Sequence, residues 1–246
     1  MIDRARAAGV AALVEVGCDL DDSRRAADFA RANASGTPLV WASVGVHPHE
    51  ARTWDDRSAE RLRALAREPR VVAIGETGLD HYYDHSPRDV QRRVFEEQLE
   101  IAKALDMPVV LHIRDAHEEA LAILKEHAGA TLRGVAHCFS AGPEIARRYN
   151  ELDFAIAVGG LATFKSAPEV LEAARSVPLE RLLIETDCPY MAPVPHRGKR
   201  CEPAFVASTC EAVARARGMA PDELALATAG NAARVFRVEL GGASSS

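Results

Sequence analysis

The sequence predicts an α/β fold built on a parallel sheet, and two patterns support this prediction. Seven short apolar runs alternate with helical patterns along the chain, and strict alternation of this kind indicates parallel strands. Seven βα repeats within 246 residues favour a TIM (β/α)8-type barrel over an open sheet. Apolar residues make up 48% of the chain and aromatic residues only 5%, as expected for a core of packed aliphatic strands.

The predicted strands are short runs of Val, Ile, Leu and Ala, bounded by polar or glycine-containing loops. They are Ala11–Gly17, Leu39–Val46, Val71–Gly75, Pro108–Ile113, Gly134–Phe139, Phe154–Gly159 and Arg181–Glu185. Between them, apolar residues recur at helical spacing, which predicts a helix after each strand. The clearest predicted helices are Asp21–Ala32, Arg88–Leu105, Ala116–His127 and Pro203–Arg217.

The two ends of the chain depart from this repeat. Residues 1–9 are typical of the last turns of a helix with Gly9 as its C-cap, and such a helix normally follows a strand. Seven strands leave a barrel one strand short, so we expect the first strand to be missing from this chain. No linker or change in composition divides the sequence, so we expect one domain over residues 1–240 and a disordered tail at 241–246.

Charge and cysteine content narrow the class of protein. The net charge is −6 and the sequence pI about 5.9, which argues against a broad basic surface for long nucleic acids but not against a local anion site. The five cysteines show no C-x-x-C spacing, so we expect reduced thiols in a cytoplasmic protein. The sequence contains no signal peptide and no apolar run as long as a membrane span, so we expect no membrane partner.

Four potential metal ligands stand at the ends of four predicted strands. They are Glu76, His112, His137 and Asp187. The carboxyl ends of parallel strands open into one mouth, where such folds place their chemistry. Taken singly, each residue could be a loop carboxylate or a hydrogen-bonded core histidine. Two imidazoles and two carboxylates at one mouth instead favour a site for Zn²⁺, Mn²⁺ or Mg²⁺, in which Asp187 could also act as a general base.

Basic side chains and a histidine pair surround these four positions. The loop after Asp187 carries His196, Arg197, Lys199 and Arg200. This loop could be an ordinary solvated charge run, but beside a metal cluster it favours a phosphorylated substrate. Arg114 shares a strand face with His112 and could bind an anion. Pro48 breaks the strand between His47 and His49, so for this pair we favour substrate contact over metal binding, with a purely structural loop an equal alternative.

Taken together, these stretches resemble the TatD family of metal-dependent deoxyribonucleases, within the amidohydrolase-like TIM-barrel superfamily. The matching runs are GVHPHE at 45–50, AIGETGLDHYYD at 73–84, PVVLHIRDA at 108–116, GVAHCFSAGPE at 134–144, VGGLATFKSA at 158–167 and LLIETDCPYMAPVPHRGKRCEPAFV at 182–206. The resemblance covers nearly the whole chain, and the ETDxPY…PHRGK pattern is highly specific.

The resemblance implies a site for two divalent ions (Mg, Mn or Zn) and hydrolysis of phosphodiester bonds in DNA, often from the 3′ end. It implies that Glu76 bridges the ions and acts in catalysis, that His112 and His137 hold one ion, and that Asp187 completes the other and acts as base. The family opens with a strand that ends in a His-x-His pair, and no counterpart precedes the first predicted strand. We therefore expect the first metal site to be incomplete and the chain to be poorly active.

Two alternatives to a deoxyribonuclease stay open at this point. One is a small-molecule amidohydrolase or deaminase of the same superfamily, and the other is a truncated scaffold without catalytic activity. For the favoured function, the expected partner is DNA, as single strands or 3′ ends, and a monomer is the favoured oligomeric state.

Overall fold

In the part of the chain that the structure describes, seven parallel strands form one sheet, in the order in which they occur along the chain. The computed structural model describes residues 1–129 and 131–240, so the predicted tail at 241–246 lies outside the described residues. The strands are β1 (Ala12–Val16), β2 (Leu39–Val44), β3 (Val71–Asp80), β4 (Val109–Arg114), β5 (Gly134–Ala136), β6 (Phe154–Val158) and β7 (Leu182–Ile184). The sheet curls into a half-barrel, which confirms the predicted α/β class and its seven strands.

Nine α-helices surround the sheet in the described part of the chain. They are α1 (Ile2–Ala7), α2 (Leu20–Ala32), α3 (Ser58–Ala66), α4 (Arg88–Leu105), α5 (His117–Glu126), α6 (Pro143–Glu151), α7 (Pro168–Ser176), α8 (Val206–Arg217) and α9 (Pro221–Phe236). Short 3-10 turns cover Pro48–Thr53, Gly160–Thr163, Leu179–Arg181 and Pro203–Phe205. Within residues 1–129 and 131–240, none of the helices has both the length and the apolar composition that a bilayer crossing requires.

Helix α4 shows how the sequence pattern becomes packing. Its bounds are those predicted from the apolar stripe, and Val94, Phe95 and Leu99 on that stripe are buried against the sheet. The helix ends at Leu105, because the next residue, Asp106, has a left-handed φ of 51° that cannot continue an α-helix. Because the apolar stripe is buried and the opposite face of the helix is exposed, α4 lies on the outer side of β3.

Strand β3 is the main departure from the predicted strand bounds. It was expected to end at Gly75 but continues to Asp80, with a register shift against β4 between Ile74 and Thr77. Gly78 makes this possible: its φ is 146°, and a Cβ there would lie 2.1 Å from the carbonyl oxygen of His112. Only a residue without a side chain allows β3 and β4 to stay so close. The run that follows Gly75 is therefore held in the sheet rather than in a loop.

Strand β5 differs in the opposite direction, because it ends at Ala136 rather than at the predicted Phe139. Cys138 has a φ of 43°, a left-handed conformation that no extended strand contains. The chain therefore turns away from the sheet just after His137. The remaining predicted strand ends agree with the structure to within two residues.

Strands β1 and β7 are the two edges of the sheet in the described residues. Helix α1 lies beside the 3-10 turn Pro203–Phe205, with Ala5 fully buried and Arg4 paired to Glu202 at 2.6 Å. As predicted, a glycine with a left-handed φ follows this helix, namely Gly9 at 80°. The first helix therefore connects the β1 edge of the sheet to the segment that leads into α8.

Candidate metal centre

The four predicted metal ligands meet at the carboxyl end of the sheet. Glu76 lies in β3, His112 in β4, and His137 and Asp187 in the segments that follow β5 and β7. The Oε1 atom of Glu76 lies 2.8 Å from Nδ1 of His112 and 3.8 Å from Nε2 of His137, and that same Nε2 lies 3.8 Å from Oδ1 of Asp187. Strand order and the shared strand direction account for this convergence.

Glu76 lies at the centre of the cluster and is 7% exposed. A third imidazole reaches it, since Nε2 of His47 lies 3.7 Å from the Oε1 atom of Glu76. Burial by itself raises the pKa of Glu76, but the imidazoles of His137, His112 and His47 outweigh burial and hold the pKa well below its ordinary value. Glu76 is therefore a carboxylate at neutral pH, in the form that binds cations.

Asp80 is a second buried carboxylate, at the end of β3. Its Oδ2 atom lies 2.9 Å from Nε2 of His49 and 3.0 Å from Nε2 of His112. Its Oδ1 atom accepts the backbone N–H groups of Tyr82 and Tyr83 at 3.0 and 2.8 Å. Burial raises the pKa of Asp80, but these hydrogen bonds outweigh burial and lower the pKa well below its ordinary value. The aspartate therefore fixes both histidine rings and the turn that follows β3.

A third group forms around His137 on the other side of Glu76. Glu185 accepts a hydrogen bond from Nδ1 of His137 at 2.6 Å and another from the backbone N–H of Cys138. The Sγ atom of Cys138 lies 3.9 Å from Oδ2 of Asp187. A carboxylate on the far nitrogen of a histidine is a common way to orient a ligand ring. Glu185 therefore directs Nε2 of His137 toward Glu76 and Asp187.

Burial and neighbouring charges shift the pKa values of the site residues in different directions. Burial lowers the pKa of His137, but Glu185 and Glu76 outweigh it and raise the pKa to about 10. Burial raises the pKa of Asp187; Glu76 and Glu185 add to that effect and His137 partly offsets it. Burial lowers the pKa of His47 to about 3. His47 is therefore neutral at pH 7, whereas His137 is protonated.

Among the described residues, the donor atoms fall into three groups, and within each group all ligand atoms lie no more than 4.8 Å apart. The groups are His47, Glu76 and His112; His49, Asp80 and His112; and His137, Cys138 and Asp187. Imidazole nitrogens and carboxylate oxygens at this spacing fit borderline-to-hard divalent cations. The donors present therefore suit the kind of ion that the sequence predicted.

The histidines of the H-P-H run require a correction to the sequence prediction. A site lacking two histidines was expected, but His47 and His49 both lie within the donor groups, so that expectation is not supported. Nδ1 of His47 accepts the backbone N–H of His49 at 3.1 Å. The neutral His47 ring therefore carries its proton on Nε2, where it is available to an anion.

A buried amide supports this side of the site. Gln98 of α4 accepts the N–H of Val46 at 2.8 Å, donates to the carbonyl oxygen of the same residue at 2.9 Å, and donates to Oγ1 of Thr77 at 2.6 Å. One side chain thereby joins the residue before His47 to the residue after Glu76. Helix α4 therefore fixes the position of His47 relative to Glu76.

The basic loop, residues 192–200, follows the Asp187 segment, and the N–H of Cys201 just after the loop donates to the carbonyl oxygen of Pro189 at 2.9 Å. Arg197, Lys199 and Arg200 are exposed, and in the described part of the chain no carboxylate lies within 4.0 Å of their charged groups. Arg197 stacks over the ring of Phe164 at 4.0 Å, and the ring of His196 stacks on that of Phe205 at 3.8 Å. The loop is therefore held by aromatic contacts while its cations stay available to an anion.

Three functional candidates were not among the predicted site residues, namely Asp80, Cys138 and Glu185. Two signals could have found the carboxylates. Asp80 and Glu76 lie an even number of residues apart in one strand and so share a face, and Glu185 stands at a strand end beside the predicted ligand Asp187. No local signal reports the contact of Cys138 with Asp187, because it joins residues that are distant in sequence.

Comparison with known proteins supplies the family. Residues 1–237 match the family described as TatD related DNase. The protein named 3'-5' ssDNA/RNA exonuclease TatD of Cronobacter turicensis is 42% identical over 241 residues, which cover 96% of this chain and 90% of that protein. The protein named uncharacterized metal-dependent hydrolase YabD of Bacillus subtilis is 38% identical over 238 residues, with coverage of 97% and 92%. The crystal structure of the TatD homologue YJJV of Escherichia coli K12 superposes with a TM-score of 0.89 at 31% identity, over 97% of this chain and 91% of that one.

Proposed function

The chain belongs to the family of TatD-related DNases and is a metal-dependent hydrolase, and from this premise we propose that it hydrolyses phosphodiester bonds of single-stranded DNA from the 3′ end. The observation that carries the proposal is the set of three metal-donor groups in the described residues, one of which contains Asp187. The exposed basic loop follows Asp187 in the chain, and its end is tied back by the hydrogen bond from the N–H of Cys201 to the carbonyl oxygen of Pro189 at 2.9 Å. The relative named as an ssDNA/RNA exonuclease supports the substrate class.

We propose that Glu76, His112, His137 and Asp187 would hold two divalent ions, Mg²⁺, Mn²⁺ or Zn²⁺, and that Glu76 would be shared by both. The central position of Glu76 supports this role, because its Oε1 atom lies within 4 Å of a ring nitrogen of both histidine ligands, His112 and His137. When bound, such ions polarise phosphoryl oxygens and make water a better nucleophile at neutral pH. Asp80 and Glu185 orient His112 and His137 toward this task.

Asp187 is the proposed general base. Its pKa is raised by burial among carboxylates, so it holds a proton more readily than an exposed aspartate does. A carboxylate of this kind takes a proton from the attacking water and passes it to solvent or to the leaving oxygen. Nε2 of its neighbour His137 lies 3.8 Å from Oδ1 of Asp187, so the proposed base stands directly beside a proposed metal ligand.

The proposed contacts to substrate phosphate come from both sides of the donor groups. On one side are His47 and His49, where the proton on Nε2 of His47 can be donated to a phosphate oxygen. On the other side lies the basic loop with Arg197, Lys199 and Arg200, and Arg114 reaches the mouth from β4. Cations beside a transferring phosphoryl group stabilise the charge that develops on it.

The proposal is tested with Asp187→Asn, which keeps the size of the side chain and removes its charge. Hydrolysis of a 5′-labelled single-stranded oligonucleotide is followed with Mg²⁺, Mn²⁺ or Zn²⁺, and we expect turnover to fall at least about 100-fold, as loss of a general base commonly causes. The matched control is Asp56→Asn, an exposed aspartate outside the mouth, which should keep wild-type turnover. Near-normal turnover by Asp187→Asn with any of the three ions would exclude the proposed role.

Other expectations also remain proposals. We propose that residues 1–240 act as one domain, since the seven strands share one sheet and its main cluster of buried residues extends from Leu20 to Leu224. We propose a cytoplasmic location, because all five cysteines are unpaired thiols in the structure. A monomer remains the favoured oligomeric state.

A further inference from the structure

Two adjacent tyrosines are exposed at the mouth of the sheet. Tyr82 is 59% exposed and Tyr83 is 49% exposed, and both follow β3 directly. Rings of this size usually bury much of their surface. Two neighbouring aromatic residues left in solvent beside a candidate site therefore need an explanation that packing does not supply.

The two rings are held rigidly although they are exposed. Both backbone N–H groups bind the buried carboxylate of Asp80. The guanidinium of Arg114 lies 4.2 Å from the ring centre of Tyr82 and 4.8 Å from that of Tyr83. The tyrosine rings are perpendicular to each other at 4.8 Å, and the ring of His85 lies nearly parallel to that of Tyr83. A flat ligand that binds here loses little side-chain entropy, because the rings are already ordered.

The pair also adjoins the proposed chemistry. The ring of Tyr83 is 5.4 Å from that of His49, whose Nε2 atom contacts Asp80 within a donor group. A flat group resting on the tyrosines therefore lies next to the donor group of His49, Asp80 and His112.

We propose that Tyr82, supported by Tyr83 and Arg114, is a stacking platform for an unpaired base of the nucleic-acid substrate. This inference rests on the proposed function and adds the feature by which the site selects single strands. Every base offers a π-face to an aromatic ring, so such a platform accepts any sequence. A base inside a duplex is stacked on its neighbours and paired, and it cannot rest on a protein ring without leaving the helix. The guanidinium beneath the rings adds attraction to the phosphates on either side.

The test compares two single-stranded oligonucleotides that differ only at their 3′ ends, one with its bases and one with abasic sites at the terminal positions. For the wild-type protein we expect a lower KM and tighter binding by fluorescence anisotropy for the oligonucleotide that carries bases, by about 5- to 140-fold, the range that stacking of one base supplies. Tyr82→Ala should remove this preference through KM and leave kcat on the abasic oligonucleotide unchanged. Tyr82→Phe keeps a ring and should keep the preference.

The matched control is Leu226→Ala, which truncates another exposed apolar side chain, 77% exposed on α9, and should change neither oligonucleotide. Equal hydrolysis of both oligonucleotides by the wild-type protein overturns the platform and leaves the proposed function standing. A Tyr82→Ala variant with wild-type preference does the same. If the wild-type protein hydrolyses neither oligonucleotide, the proposed function is wrong and the platform falls with it.

Discussion

Binding of divalent ions at the metal centre should release protons, and the pKa values of two histidines predict how many. Burial lowers the pKa of His112, but its hydrogen bonds to Asp80 and Glu76 outweigh burial and raise the pKa to about 9. The pKa of His137 is raised to about 10. Both rings are therefore protonated at pH 7 in the metal-free protein. A metal ion binds only the neutral imidazole, so each ring must lose a proton when it becomes a ligand.

The magnitude follows from these pKa values. Each proton that must leave changes the apparent affinity tenfold per pH unit below the pKa of its group, about 1.4 kcal/mol. Two protons give about a hundredfold gain in affinity per unit as pH rises toward 9, and the gain levels off above the pKa of His137. The folding stability of the metal-free protein changes in the opposite direction as pH rises. Its stabilisation by the raised pKa of His112 is complete below the unfolded value of about 6.5 and is lost as pH rises through 9.

Calorimetry measures the proton count directly. Zn²⁺ or Mn²⁺ is titrated into metal-stripped protein at pH 7.5 in buffers with different ionisation enthalpies, and the slope of heat against ionisation enthalpy gives the protons released. We expect about two for the wild-type protein and one fewer for His112→Gln. His127→Gln is the control, since His127 pairs with Glu100 away from the mouth and should leave the count unchanged. Heats that do not depend on the buffer would refute the reasoning.

Two further predictions concern the substrate and the fold. Neutralising the three cations of the basic loop should reduce the slope of log affinity against log salt for single-stranded DNA by about 2, at about 0.7 per phosphate contact; an unchanged slope in anisotropy titrations would make the loop a solvated charge run. Gly45→Ala should destabilise the protein by about 1–3 kcal/mol, because a Cβ there would lie 2.7 Å from the backbone of Gly75. Gly230→Ala, in α9 with no atom within 4 Å of the new Cβ, should instead stabilise it by about 0.5–1 kcal/mol. Urea unfolding of both variants checks the pair, and equal effects would contradict it.

The features that could be predicted from the sequence are those with a local period. Apolar runs of strand length alternate with helical stripes, and this pattern predicted the seven strands and the bounds of α4. The convergence of Glu76 with His112 followed from one rule, that parallel strands end at the same side of a sheet. Neither inference required knowledge of which strand lies next to which.

What the sequence could not predict depends on contacts between distant segments. The extension of β3 to Asp80 depends on the approach of the β4 backbone to Gly78, which no window along one strand contains. The partner of His137 is Glu185, 48 residues further along the chain. His47 was assigned to a loop because a proline follows it, and it does leave the strand, yet the fold still brings it to Glu76. Local conformation was correct at that position while its surroundings were set by tertiary structure.

The sequential order of the strands also bears on how the chain folds. Because each strand pairs with the one before it, the sheet can grow by adding one βα unit at a time to an existing edge, with short loops to close at each step. The donor groups are different, since one of them joins residues after β5 to Asp187 after β7. The complete site exists only when nearly the whole sheet has formed. An interaction absent from the folding transition state slows unfolding without speeding folding, so divalent ions should prolong the lifetime of the folded chain and leave its rate of formation unchanged.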